Sequence, residues 1–189
     1  LEIKLLWHIL FYGWGASEVL IGIKTRTRSG GGKVKDRGSL AVLWVTITVA
    51  ITAGEVISHI MPHNLFNGAH WLIAVAIAVL LVGVAIRWTA ILSLGKSFSS
   101  NVAIRDTQNL YQGGLYRFLR HPSYTGMVLV FLAIGLAERN WISCLVIMTL
   151  TTSALLYRIH VEEAALREAF GEQYSVYSLR TKRLIPWIY

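Results

Sequence analysis

Arg120-His121-Pro122-Ser123-Tyr124-Thr125-Gly126 is a polar, turn-forming cluster that runs directly into the apolar residues 127–137. Glu138-Arg139-Asn140 then separates that run from a second apolar stretch, 141–157. Two apolar stretches joined by three polar residues read as a helical hairpin whose tight turn lies at a membrane surface. The cluster in front places polar chemistry where a helix enters the bilayer.

Working outward, residues 5–23, 40–61 and 71–94 are apolar stretches near the ~20 residues that a spanning helix needs. A hydrophobic fraction of 54%, a charged fraction of only 15% and a mean hydropathy of +0.53 are too apolar for a soluble domain. The fold class expected is an all-α integral membrane protein. It has about five transmembrane helices and a C-terminal helical hairpin. Residues 1–94 form an N-terminal three-helix region, and residues 95–189 a catalytic region.

Basic residues fix an expected orientation, because cytoplasmic loops gather Lys and Arg. Segments 24–38, 95–120 and 158–183 carry 15 of the 18, whereas 62–69 and 138–140 hold only Arg139. Alternating spans put the three basic segments on one side, with the N-terminus outside and the C-terminus and active site cytosolic. The net charge of +8 is thus a topology signal. No basic stripe interleaved with exposed aromatics supports nucleic-acid binding, and no obligate protein partner is evident.

One cysteine, Cys144, excludes an intrachain disulfide and a thiolate metal cluster and reads as packing. Glu2, Lys4, His8 and Glu18, with no small-residue cleavage site, argue against a signal peptide in the first stretch. The chain starts at Leu1, which leaves room for a residue or segment upstream. Residues 29–33 read as a flexible linker lacking the spacing of a phosphate-binding loop. His8, His59, His63 and His70 are scattered, and no metal site is expected. Trp7, Trp14, Trp71, Trp141 and Trp187 read as interfacial anchors. Glu18 and Arg87 lie at matching depths in their spans, which predicts a pair or an Arg87 that reaches the headgroups. Glu55 lies toward the other end and should not meet Arg87.

The plausible chemistry lies in two segments. Residues 96–124, punctuated by Asp106-Thr107-Gln108-Asn109 and Gly113-Gly114, predict irregular backbone folded against the membrane face. The second segment continues the last span beyond Tyr157 as an amphipathic helix that stops at Gly171. Pro122 suits the first turn of a helix, where its missing N–H costs nothing. That helix start offers free N–H groups to an anion, although an ordinary helix entry explains it equally well. Arg158 and Glu162, four apart, share a helix face. They form either a solvated ion pair or an inward-facing guanidinium that must find an anionic partner at the membrane boundary.

Gly114-Leu115-Tyr116, the 120–126 cluster, Glu162-Glu163-Ala164-Ala165-Leu166, Phe170-Gly171-Glu172-Gln173-Tyr174 and Tyr177 together resemble the isoprenylcysteine carboxyl methyltransferase family. The resemblance covers roughly residues 95–186 in order and spacing and extends in plan to phospholipid N-methyltransferases. It implies a multi-span methyltransferase with no Rossmann domain, binding S-adenosylmethionine, with S-adenosylhomocysteine as product, in a cytosolic cofactor pocket that opens laterally to lipid. It assigns Gln108, Asn109, Leu110, Tyr111 and Tyr116 to cofactor wrapping, and His121, Pro122, Ser123 and Tyr124 to closing the pocket. Glu162 becomes the carboxylate that meets the cofactor, and Arg158 the residue that positions the substrate carboxylate. Gln108 stands where relatives usually have His, and Tyr111 where they have an aliphatic residue.

Methyl transfer to a carboxylate needs no general base, since the nucleophile is already ionised at neutral pH. The absence of a nucleophile–base triad is therefore no objection, and His121 reads as a loop-fixing residue. The expected function is methylation of a lipophilic acid, such as a prenylated cysteine, that enters from the bilayer among membrane lipids. The alternatives are an N-methyltransferase of phospholipids or other amphiphiles, an NADPH-dependent membrane reductase, and a non-catalytic membrane adaptor.

Overall fold

The computed structural model describes residues 2–25, 33–34, 36, 38–61, 71–104, 109–186 and 188–189. Its main elements are α1 (Glu2–Thr25), β1 (Lys33–Val34), α2 (Ser39–Ile60), α3 (Trp71–Leu94), β2 (Ala103–Ile104), α4 (Pro122–Ala137), α5 (Trp141–Phe170) and α6 (Glu172–Arg180). The architecture is helical. The two strands are a two-residue antiparallel ladder, Lys33 opposite Ile104 and Val34 opposite Ala103.

Among the described residues four helices, α1, α2, α3 and α5, are long and apolar enough to cross a membrane, and α4 is a shorter apolar helix of 16 residues. The last of the four exceeds its apolar run. α5 continues unbroken from 141 to 170, which at 1.5 Å per residue is about 45 Å, longer than a bilayer core. Its final turns therefore carry Arg158, Glu162 and Glu163 past the apolar layer.

α4 packs along α3 and folds back on α5, while α2 packs along α5 and α1 leans on α3. Small residues set the closest approach. A Cβ on Gly126 would lie 2.5 Å from the Gly83 carbonyl oxygen, so α3 and α4 touch backbone to backbone there. Phe131, Val130, Leu155 and Ile147 fill the centre. Leu5, Ile9, Val45 and Leu92 point outward, as lipid-facing residues do.

The 138–140 turn has a specific cause. Arg139 takes a positive φ of 53°, and the Asn140 side chain caps α5 by accepting from the Ile142 and Ser143 amides. Asn140 also donates to the Met61 carbonyl at 2.7 Å, and Ser58 donates to Glu138, which joins the C-terminal end of α2 to the hairpin turn. The opposite ends meet as well: the Ser100 amide donates to the Thr25 carbonyl, and Arg158 contacts Ser39. The helices thus alternate in direction.

Two readings are settled in detail. Glu18 and Arg87 form a two-pronged pair, both bonds 2.5 Å, with Arg87 also donating to Ser123 at 2.7 Å. Trp14 is no interfacial anchor. It stands within α1 and is buried edge-on against Phe131 with ring centres 6.1 Å apart. Trp187 lies outside the described residues, as do residues 29–32 of the linker.

Candidate active site

The segment between α3 and α4 is held by the C-terminus. The Arg120 and His121 amides donate to the Lys182 and Arg183 carbonyls, and the Lys182 amide donates to the Phe118 carbonyl. Thr125 adds a bond to the Leu184 carbonyl at 2.7 Å, and the Tyr177 hydroxyl donates to the Tyr116 carbonyl at 2.8 Å. A single carboxylate ties this layer to α5. Glu163, 1% exposed, accepts from Arg120 (3.0 Å), Arg183 (2.9 and 3.1 Å) and Arg167 (3.1 Å). Burial alone would raise its pKa. His121 beside it, together with the bonds from Arg183 and Arg120, prevails and holds Glu163 well below the usual carboxylate range.

Above this clamp lies a cavity whose empty space, open solvent at its mouth included, is about 860 Å³. Asn109, Leu110, Tyr111, Tyr116, His121, Ser123, Tyr124 and Glu162 all line it. Pro122 starts α4 and is buried, outside the lining. Gln108 lies outside the described residues. Phe98, Leu166, Phe170, Tyr174 and Tyr177 complete much of the apolar wall.

The polar groups around this cavity suit a ligand that carries both charge and rings. Burial, followed by the charge of Glu162, pushes the Tyr116 phenol above its ordinary value, and burial holds Tyr177 up to about 12. Both are neutral donors at physiological pH. His121 stacks on Tyr124, with ring centres 5.6 Å apart. The Tyr174 hydroxyl is buried in the wall with no hydrogen-bond partner among the described residues, which is the condition of a group that a ligand would satisfy, whereas His121 Nε2 lies 3.5 Å from Glu163 Oε1.

Arg158 does not line this cavity. It borders a second one of about 520 Å³, together with Ile21, Leu40, Leu43, Trp44, Ile47 and Met127 and the Glu18–Arg87 pair. The two cavities share Phe98, Ser99 and Tyr124. The Tyr124 hydroxyl spans the partition, donating to Glu162 at 2.8 Å and lying 3.4 Å from Arg158 Nε. Arg158 and Glu162 do not pair with each other as their spacing allows; each turns to a different cavity. Arg158, 2% exposed, instead holds Asp36, Ser39 and the Ser100 carbonyl.

Sequence reasoning missed Asp36, Phe98, Ser99 and the Glu163 clamp. The Glu163–Arg167 spacing of four was the one visible signal for the clamp. Asp36 lies 122 residues from Arg158, and no spacing rule connects them.

Fold and site define a polytopic helical membrane protein with two cavities back to back, one edged with polar groups and one lined mainly by apolar side chains. The family model of the isoprenylcysteine carboxyl methyltransferases matches residues 74–168, and the chain belongs to that family. It is 30% identical over 122 residues to protein-S-isoprenylcysteine O-methyltransferase B of Arabidopsis thaliana, covering 63% of this chain and 62% of that protein. The corresponding protein of Tribolium castaneum is 33% identical over 124 residues, covering 63% of this chain and 43% of that one. The chain therefore spans less than two thirds of these relatives. The solved structure of the eukaryotic intramembrane Ras methyltransferase of the family superposes with a TM-score of 0.59 at 27% identity, covering 78% of this chain and 52% of that chain.

Proposed function

We propose that this protein is an S-adenosylmethionine-dependent methyltransferase that esterifies the carboxylate of a lipophilic acid, of which a prenylated cysteine is the type. The observation that carries the reading is the partition: Tyr124, Phe98 and Ser99 face a polar-edged cavity on one side and an apolar cavity bordered by a buried arginine on the other. Family membership supplies the reaction class.

Asn109, Tyr111, Tyr116, His121, Tyr124 and Glu162 would hold the cofactor in the larger cavity, with Leu110 and Ser123 beside them. The unpartnered Tyr174 hydroxyl and the Glu162 carboxylate fit its hydroxyl and ammonium groups. Bound there, S-adenosylmethionine supplies a methyl group on a sulfonium, whose transfer to a carboxylate leaves a neutral thioether and a neutral ester. The chain's own work is alignment and exclusion of water. Arg158 offers a planar fork that matches a carboxylate and fixes its orientation toward the partition. Ile21, Leu43, Ile47 and Met127 exclude water from that side, which strengthens the guanidinium's hold. The acceptor's apolar tail would enter from the bilayer past Trp44, a wall residue that is also 40% exposed on the bundle surface.

The same reading places the N-terminus outside and the active site and C-terminus in the cytosol, because Arg120, Arg158 and Arg183 gather at the cavity end of the bundle. An amine acceptor is disfavoured by Arg158, which would repel its ammonium form.

Purified protein should retain S-adenosylhomocysteine with micromolar affinity in calorimetry, and Glu162→Ala should lose it. Labelled methyl should pass to a prenylcysteine in preference to phospholipid extract. Selective retention of NADPH, or transfer to phospholipid amines alone, would overturn the assignment.

A further inference from the structure

The buried arginine that the acceptor needs is already engaged by the chain itself. Asp36 and Ser39 occupy Nη1 of Arg158, the Ser100 carbonyl takes Nη2, and the Tyr124 hydroxyl lies 3.4 Å from Nε. No two adjacent nitrogens of the fork are both without a partner. A carboxylate arriving from the second cavity must therefore take a place that something now holds. Ser39, Ser100 and Tyr124 are neutral and can share a donor. Asp36 is itself a carboxylate, with one oxygen on the nitrogen that an acceptor carboxylate would need.

Resting on the carboxylate-methylation reading, we propose that Asp36 is an internal stand-in for the acceptor, which a substrate carboxylate displaces and which returns to Arg158 once the substrate has become an ester. Asp36 is placed to do this. Its side chain is 15% exposed against 2% for Arg158, so it leaves toward a wetter place while the arginine stays fixed. In the same position Ser39 Oγ donates to Oδ1 at 3.0 Å and the Leu40 amide lies 3.3 Å from Oδ2, at the first turn of α2, contacts that Asp36 gives up together with Arg158 when it leaves. The exchange is one of like for like in charge. Arg158 keeps an anionic partner throughout, as a guanidinium at that depth requires.

The consequence is selectivity by charge at both ends of the reaction. A neutral amphiphile cannot displace Asp36, since it offers Arg158 no negative charge. A methyl ester loses the charge that held it, so the returning Asp36 favours product release. Asp36 is in this sense a specificity residue, acting through Arg158.

The test uses the full-length protein with S-adenosylhomocysteine bound and no methyl donor. The probes are an S-farnesyl thioether carboxylate and its preformed methyl ester. Asp36→Asn keeps the shape and the helix-capping ability of the side chain and removes its charge. The expected result is carboxylate binding tightened about 10-fold, a change of about 1.4 kcal/mol, with ester and S-adenosylhomocysteine affinities unchanged and Asp36→Glu close to wild type. A merely structural Asp36 would weaken binding on substitution. Should Asp36→Asn fold poorly, the wild type suffices: carboxylate, and not ester, should raise deuterium uptake at the Leu40 amide as its Asp36 partner leaves. Equal carboxylate affinity in both proteins with methyl transfer intact, or no change at Leu40, overturns this inference alone. Failure of either protein to bind the carboxylate while S-adenosylhomocysteine binds overturns it together with the carboxylate reading.

Discussion

Glu162 and Glu163 are neighbours in sequence and opposites in role. One turn of α5 sends Glu162, its side chain 32% exposed, to the larger cavity and Glu163 into the clamp. Glu163→Gln leaves Arg120 and Arg183 facing a neutral amide, and breaking a buried pair of this kind costs about 3 kcal/mol or more. Thermal unfolding should shift down accordingly while Glu162 still binds cofactor in the folded fraction. The pH dependence has a definite sign. Because the folded state holds Glu163 well below its ordinary value, its contribution is complete above the unfolded pKa of about 4.3 and is lost as pH falls from there toward the folded value. The melting temperature of wild type should thus drop more steeply below about pH 4.5 than that of Glu163→Gln, as calorimetry from pH 6 to pH 3 would read. Tyr124→Phe is the matching test at the partition. It keeps the ring wall and removes the hydroxyl between Glu162 and Arg158, so kcat should fall about 10-fold, as for loss of one hydrogen bond to charged groups, with S-adenosylhomocysteine affinity nearly kept.

The contact of α3 with α4 governs how the two cavities meet. Gly126 and Gly83 let the backbones touch, and just beside them Arg87 reaches Glu18 on α1 and Ser123 on α4. A methyl on Gly126 would press on the Gly83 carbonyl and the Arg87 amide, backbone groups that cannot rotate away. Gly126→Ala should cost about 1–3 kcal/mol or more and disturb Ser123 in the cavity wall, seen as lowered melting temperature and weaker cofactor retention together. The ion pair behaves differently. Glu18→Leu alone strands a guanidinium within the bundle and should be strongly destabilising, by about 3–5 kcal/mol, whereas Glu18→Leu with Arg87→Met should recover most of that loss. A double variant no more stable than the single one would show that Arg87 acts through Ser123 and not through its charge.

Across the whole molecule, what the sequence displayed was whatever depends on long local signals. The spans were legible because some 20 apolar residues in a row have few other uses, and the hairpin because three polar residues separate two such runs. The part of the larger cavity's wall that was legible is the part clustered within 109–124 and at Glu162. Asp36 and Ser99 were not, because their roles arise only when three loops converge at one end of the bundle. Trp14 was misread because a Trp within an apolar run looks like an anchor until its contact with Phe131 on another helix is seen. That convergence yields a last prediction. If alternating helices bring the basic segments to the cavity end, single cysteines placed at Gly171 and Lys182 in a Cys144→Ala background should react with a membrane-impermeant maleimide only from the cytosolic side. A cysteine at Arg139, on the turn that Asn140 ties to Met61, should react only from the opposite side. Labelling of all three from one face would mean that α4 and α5 dip into the bilayer and return, and the second cavity would then open to headgroups instead of acyl chains.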